Sequence, residues 1–146
     1  MKKLAITARV VTALAIAAGA SLAGVSSASA STGGGCRAWA VPVANVGVQP
    51  CISASGTNIN ASLYLSGSRP LYSAWIDLYV LNPQNKWIFV AEKNEYCHGG
   101  AAGNCSDLNN VTFGYQPPGA YLVEEGFHTS DGLQSGGLQS PIQYLN

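Results

Sequence analysis

The chain has 146 residues, with seven Lys and Arg balancing seven Asp and Glu, two His and four Cys. Lys2, Lys3 and Arg9 crowd the first ten positions, and no Lys or Arg follows Lys93. Without a cation cluster to neutralise phosphates, nucleic acid and anionic membrane surfaces are excluded as partners.

That basic start precedes an Ala-rich apolar stretch, Val10 to Val25, and the small-x-small triplet Ala28-Ser29-Ala30. The pattern predicts a secretory signal over residues 1–30, cleaved after Ala30, and a secreted, extracellular protein with no membrane contact after cleavage. A transmembrane anchor is disfavoured because the apolar stretch is short and broken by Gly19, Ser21, Gly24 and Ser26. A lipid anchor is disfavoured because Cys36 follows three glycines. Residues 31–35 are expected to be a flexible leader and residues 36–146 one domain. That part keeps Arg37, Arg69, Lys86 and Lys93 against all seven acidic residues, so it is net acidic.

Cysteines in an exported chain read as disulfides, and four allow three connectivities. The local pairing, Cys36 with Cys51 and Cys97 with Cys105, is expected because turn-formers fill both intervals. A tetrathiolate metal site is disfavoured by the missing CxxC spacing.

In chain order, Trp39, Val41 and Val43 suggest a first strand, restricted by Pro42 to an edge or bulge. A short strand is expected from Cys51. Ile59, Ala61, Leu63 and Leu65 alternate with Asn60, Ser62 and Tyr64 as a half-buried antiparallel strand requires. Tyr72 to Glu92 then forms two period-2 runs around Asn82-Pro83-Gln84-Asn85, the signature of a β-hairpin. Ala74, Ile76, Leu78 and Val80 share one face of its first strand; Trp75, Asp77 and Tyr79 share the other. In the second strand Ile88 and Val90 alternate with Trp87, Phe89 and Ala91. Both faces are apolar, so the hairpin is either buried on both sides or displays an aromatic platform.

Lys93 to Asn110 reads as a polar, Gly-rich excursion held by Cys97 and Cys105. Val111, Phe113 and Tyr115 make a strand, Gln116 to Gly119 a turn, and Tyr121, Val123 and Phe127 another strand. Glu125 shares the parity of those three. A bulge or strand end turning it outward is expected, with a partly buried carboxylate at a ligand site as the alternative. Gly132-Leu-Gln-Ser135 recurs as Gly137-Leu-Gln-Ser140, read as two arms of a hairpin loop, and Pro141 to Leu145 closes the chain as an edge strand.

With no sustained 3.6 period, about seven short strands predict an all-β antiparallel sandwich with two disulfides. Pro118-Gly119-Ala120-Tyr121-Leu122-Val123 resembles the Pro-Gly-x-Tyr-x-Val entry into a late strand of immunoglobulin-like and fibronectin-like sandwiches. The resemblance implies an immunoglobulin-like fold and no particular function. Size, secretion and two disulfides also look like those of the apoproteins that carry enediyne chromophores. There, however, the likeness ends: Cys36 opens the mature chain, and no chromophore-pocket motif fits this sequence.

No catalytic motif stands out. Ser106, His98 and Asp107 can be written as a triad, but no nucleophile elbow or oxyanion-hole motif accompanies them. Glu124 and His128 share a strand face without a third metal ligand. Glu124 and Glu125, as neighbours in a strand, point to opposite faces and cannot share a glycosidase cleft unless a bulge intervenes. No cofactor motif and no metal site are expected. The sequence therefore predicts a non-catalytic binding protein. First comes a polysaccharide or cell-wall binding module using Trp75, Asp77, Tyr79, Trp87 and Phe89. Second comes an extracellular protein-binding protein, such as a hydrolase inhibitor presenting loop Cys97–Cys105 or loop Gly132–Gly137; a small-ligand carrier is third.

Overall fold

A computed structural model describes residues 31–97, 99–101, 105 and 108–146. The expected secretion signal lies outside them, as do His98, Ser106 and Asp107. Among the described residues no helix is long and apolar enough to cross a membrane. The strands are β1 (Thr32–Gly33), β2 (Gly35–Cys36), β3 (Ala40–Val43), β4 (Val46–Ser55), β5 (Asn58–Ser66) and β6 (Leu71–Leu81). They continue with β7 (Trp87–Tyr96), β8 (Val111–Tyr115), β9 (Gly119–Thr129), β10 (Leu138–Gln139) and β11 (Gln143–Leu145). This exceeds the seven expected because short pieces at the sheet margins, β1, β2, β3 and β10, form besides the longer strands.

Two antiparallel sheets result. The first runs β1-β11-β9-β6-β7, with β10 also paired to β9; the second runs β2-β4-β5-β8, with β3 on β4. Their facing sides make one core, in which Ile76 and Leu78 of β6 and Val123 and Phe127 of β9 meet Val48 and Ile52 of β4 and Leu63 of β5. Burying each such side chain fully is worth about 1.5–3 kcal/mol, so the alternating pattern decides which face turns inward.

The disulfides join Cys36 to Cys51 and Cys97 to Cys105, the local pairing. Cys36 and Cys51 sit directly opposite each other on β2 and β4. The segment read as a flexible leader is paired: β1 lies on β11 of the first sheet, and β2 on β4 of the second. Gly34 lets the chain cross between them. Its φ is +74°, and a Cβ there would stand 2.7 Å from the Ile52 carbonyl oxygen.

β4 is longer than expected: it runs through Pro50, one of the turn-formers between Cys36 and Cys51. Arg37 N donates to the Pro50 carbonyl, so Pro50 turns its hydrogen-bonding edge toward the point where β2 and β3 part. The Arg37 carbonyl accepts there from Gln49 Nε2 at 3.0 Å, so no N–H is wanted from Pro50.

The hairpin β6–β7 closes through Asn82, whose Oδ1 accepts from Gln84 N and Lys86 N, while Asn85 takes a φ of 58°. Its register slips once. Leu78 pairs with Ala91 but Tyr79 with Phe89, leaving Val90 as a bulge. Phe89 and Ala91, which share parity in sequence, therefore lie on opposite faces: Phe89 joins Tyr79 outside, and Ala91 packs against the core. β7 also runs on to Tyr96, so Lys93 to Tyr96 belong to the strand and not to the following loop.

β9 carries the late-strand signature. Tyr121 is buried and its hydroxyl donates to the Pro117 carbonyl at 2.7 Å. No bulge turns Glu125 outward. It stays on the core face beside Tyr121, Val123 and Phe127, fully buried, with neither carboxyl oxygen hydrogen-bonded. Burial holds its pKa well above the ordinary 4.5, which favours its neutral form.

The two Gly-Leu-Gln-Ser copies are structurally equivalent. Ser135 N donates to the Phe127 carbonyl and its Oγ accepts from Phe127 N; Ser140 does the same with Val123. Each serine thus satisfies both backbone groups of one β9 residue along the strand margin, where β10 and β11 pair only in part.

Candidate functional site on the outer face of the first sheet

Because Ala74, Ile76 and Leu78 fill the core, alternation sends Trp75, Asp77 and Tyr79 to the solvent side of the first sheet. There β7, β6 and β9 lie side by side, and their outward residues form rows across the strands.

The first row is aromatic. Trp75 lies over Gly126 of β9; a Cβ at Gly126 would stand 2.6 Å from Cη2 of the indole. The ring also stacks on His128, with centroids 4.9 Å apart and planes at 39°. His128 Nδ1 hydrogen-bonds Ser73 Oγ at 3.2 Å, which fixes the imidazole against the indole. Glu124 and His128 do share the outer face, separated by Gly126 and the indole that covers it.

The second row is acidic. Asp77 pairs with Glu92 of β7 on one side and with Glu124 of β9 on the other. Desolvation, followed by the Glu92 and Glu124 charges, pushes Asp77 from the usual 3.8 up to about 6. Its Oδ1 is shut off from water without a hydrogen-bond partner among the described residues. Glu124 lies against Gly137, and its carboxylate accepts from Gln139 Nε2 at 3.3 Å.

The third row is aromatic again. Tyr79 and Phe89 meet edge to face at 5.9 Å, with Trp87 opposite Leu81 beyond them. Burial and the Asp77 and Glu124 charges raise the Tyr79 pKa.

A groove of about 860 Å³ opens over the first two rows. Trp75, Asp77, Glu92, Glu124 and His128 line it, with Tyr72 and Tyr96 in edge-to-face contact at 5.6 Å at one margin. Gly132 and Gln134 of the expected binding loop form part of its wall. The five residues singled out in the sequence therefore share one face but not one site. Trp75 and Asp77 line the groove; Tyr79, Phe89 and Trp87 stand beyond the acidic row.

Glu92, Asn94 and the Tyr72–Tyr96 pair were not legible as site residues. Simple alternation places Glu92 with Ile88 and Val90, and only the bulge moves it to the side of Asp77. Among the described residues no group of three His, Cys, Asp or Glu is arranged to hold a metal ion. Glu124 and Glu125 point to opposite faces, one into the groove and one into the core. No protein-family model matches the chain, and no curated protein or solved structure shows significant similarity to it.

Proposed function

We propose that this chain is a secreted, non-catalytic binding protein that holds a polysaccharide against the outer face of its first sheet. The observation that carries this reading is the placement of Trp75, Tyr79 and Phe89 outside the core, beside an open groove, in a domain whose core is filled by aliphatic residues and Phe127, Phe113 and Tyr121. Flat rings on a rigid sheet suit the apolar faces of sugar rings, and Asp77, Glu92 and Asn94 offer polar atoms for hydroxyl groups. The two disulfides agree with an extracellular setting.

We further read the strand arrangement as immunoglobulin-like, which by itself carries no function. The seven strands β4 to β9 and β11 fall into the orders β4-β5-β8 and β11-β9-β6-β7. The Tyr121–Pro117 bond resembles a tyrosine corner.

The test is a pull-down of the oxidised protein on insoluble chitin, its deacetylated form, cellulose and peptidoglycan, beside Tyr79→Ala, Phe89→Ala and Trp75→Ala variants whose fold is verified by near-UV circular dichroism. Retention by one of these glycans, lost in folded variants, is the expected result. Absence of retention on all four overturns the reading in favour of a protein partner. Release of soluble sugar from the glycan overturns the non-catalytic part.

A further inference from the structure

The groove proposed above as a glycan site is charged in one sense only. Four carboxylates line it, those of Asp77, Glu92, Glu95 and Glu124, and no Lys or Arg does. Asp77 has a like charge directly opposite on each side, Glu92 on β7 and Glu124 on β9. Like charges at directly opposed positions destabilise a sheet. This row does so twice, on the face where a neutral residue would satisfy the strand equally well. The Arg69 guanidinium does not relieve it, because Arg69 is paired with Asp131.

Two further features give the row a direction. Asp77 Oδ1 is enclosed and has no hydrogen-bond partner among the described residues, a cost that the carboxyl escapes by turning toward a donor held in the groove. Next to it the Trp75 indole is held rigidly between Gly126 and His128. An aromatic ring beside carboxylates is the combination that attracts an ammonium group, through ring quadrupole and charge together.

Resting on the glycan reading, we propose that the polymer bound here is cationic. It is a β-linked polyglucosamine whose sugar ring stacks on Trp75 and whose protonated amines pair with the row Glu92, Asp77 and Glu124. Adjacent strands stand roughly 4.8 Å apart, so Glu92 and Glu124 lie two steps apart, close to one two-sugar repeat; successive units of a β-1,4 chain are flipped, and the amines on one edge recur at that spacing, with Asp77 between them. A bound ammonium offsets the mutual repulsion of the row and supplies the donor that Asp77 lacks. N-acetylation of the sugar removes the charge and most of this gain.

The experiment titrates the oxidised protein with β-1,4-linked glucosamine oligomers, and with the same oligomers fully N-acetylated. Binding is followed by calorimetry from pH 6 upward, Asp77 being about half ionised at pH 6 and increasingly so above it. Wild type is expected to prefer the amine form, with affinity falling as salt rises. Asp77→Asn is expected to weaken amine binding by about tenfold or more, the scale of one charge-assisted hydrogen bond, and to weaken the acetylated form distinctly less. Equal affinity for both oligomers overturns the charge inference and leaves the glycan reading standing. Binding of neither oligomer, with tight binding of a lysine homopolymer, overturns both and assigns the groove to a basic protein segment. Because Asp77→Asn removes a repulsion, it is expected to fold; Glu92→Gln provides an independent second variant.

Discussion

Trp75 and Gly126 are a matched pair: the indole of one strand occupies the space that a side chain on its neighbour would need. Gly126 is not at a left-handed φ, so alanine fits its backbone and only the ring stands in the way. Gly126→Ala is therefore expected to displace Trp75 and break its stack on His128. The expected destabilisation is about 1–3 kcal/mol, as for overpacking elsewhere. Urea unfolding gives the magnitude, and a red shift of tryptophan emission in the folded variant reports the displaced ring. An unchanged spectrum and midpoint would show that the indole has room to move.

Glu125 makes stability depend on pH in the sense opposite to that of a salt-bridged carboxylate. Its folded pKa is raised by burial, so its contribution is fully present below about pH 4.5 and is lost as pH rises through the folded value. Glu125→Leu removes the titrating group and fills the site with apolar atoms. The variant is expected to be more stable than wild type at pH 7 by about 1–3 kcal/mol, the cost of an unsatisfied buried polar group. The difference should shrink as pH falls toward 4.5. Parallel urea midpoints across that range measure it, and a constant difference would refute the assignment.

Asp77 acts in the same direction over a lower window. With a pKa moved from 3.8 to about 6 by burial and its two acidic neighbours, its contribution is complete below 3.8 and gone above about 6. Carbon-detected NMR titration is expected to find one carboxyl in this range that returns toward the ordinary value in a Glu92→Gln, Glu124→Gln double variant. A midpoint near 4 in the wild type would contradict the crowded row.

Ser135 and Ser140 each accept a hydrogen bond from a buried N–H of β9, at 2.9 Å and 3.0 Å. Ser135→Ala and Ser140→Ala are each expected to cost about 1–3 kcal/mol, because each leaves a buried donor unpaired. The two contacts lie four residues apart on an extended strand and share no partner, so the double variant should lose nearly the sum. Strong non-additivity would mean that the segment carrying both serines detaches as a unit.

Much of this fold was legible because alternation works strand by strand. Ile59 to Leu65 and Tyr121 to Phe127 turn the faces inward that their apolar residues require, and the turn-formers between the cysteines indicated the local disulfides. What escaped were features that depend on a neighbouring strand. The slip at Val90 follows from pairing with β6, and it reassigns Phe89, Ala91 and Glu92 between faces. Pro50 is compatible with a long strand only because β2 and β3 separate beside it. Glu125 was expected to turn outward, since an isolated carboxyl in a core is costly; the regular pairing of β9 with β6 keeps it inside. The serine repeat resembled a loop because hydrogen bonding to a distant strand leaves no period in the sequence. For the site, alternation identified the face, but the acidic row and the groove emerged only when β7 and β9 were set beside β6.

The five residues Thr32 to Cys36 touch both sheets, with Thr32 opposite Tyr144 and Cys36 opposite Cys51. The earliest described strand thus waits for the last, and the margin of the first sheet stays unzipped until β11 has been made. Such distant pairings fold slowly. The Cys36–Cys51 bond, needing only β2 and β4, can form before that margin closes.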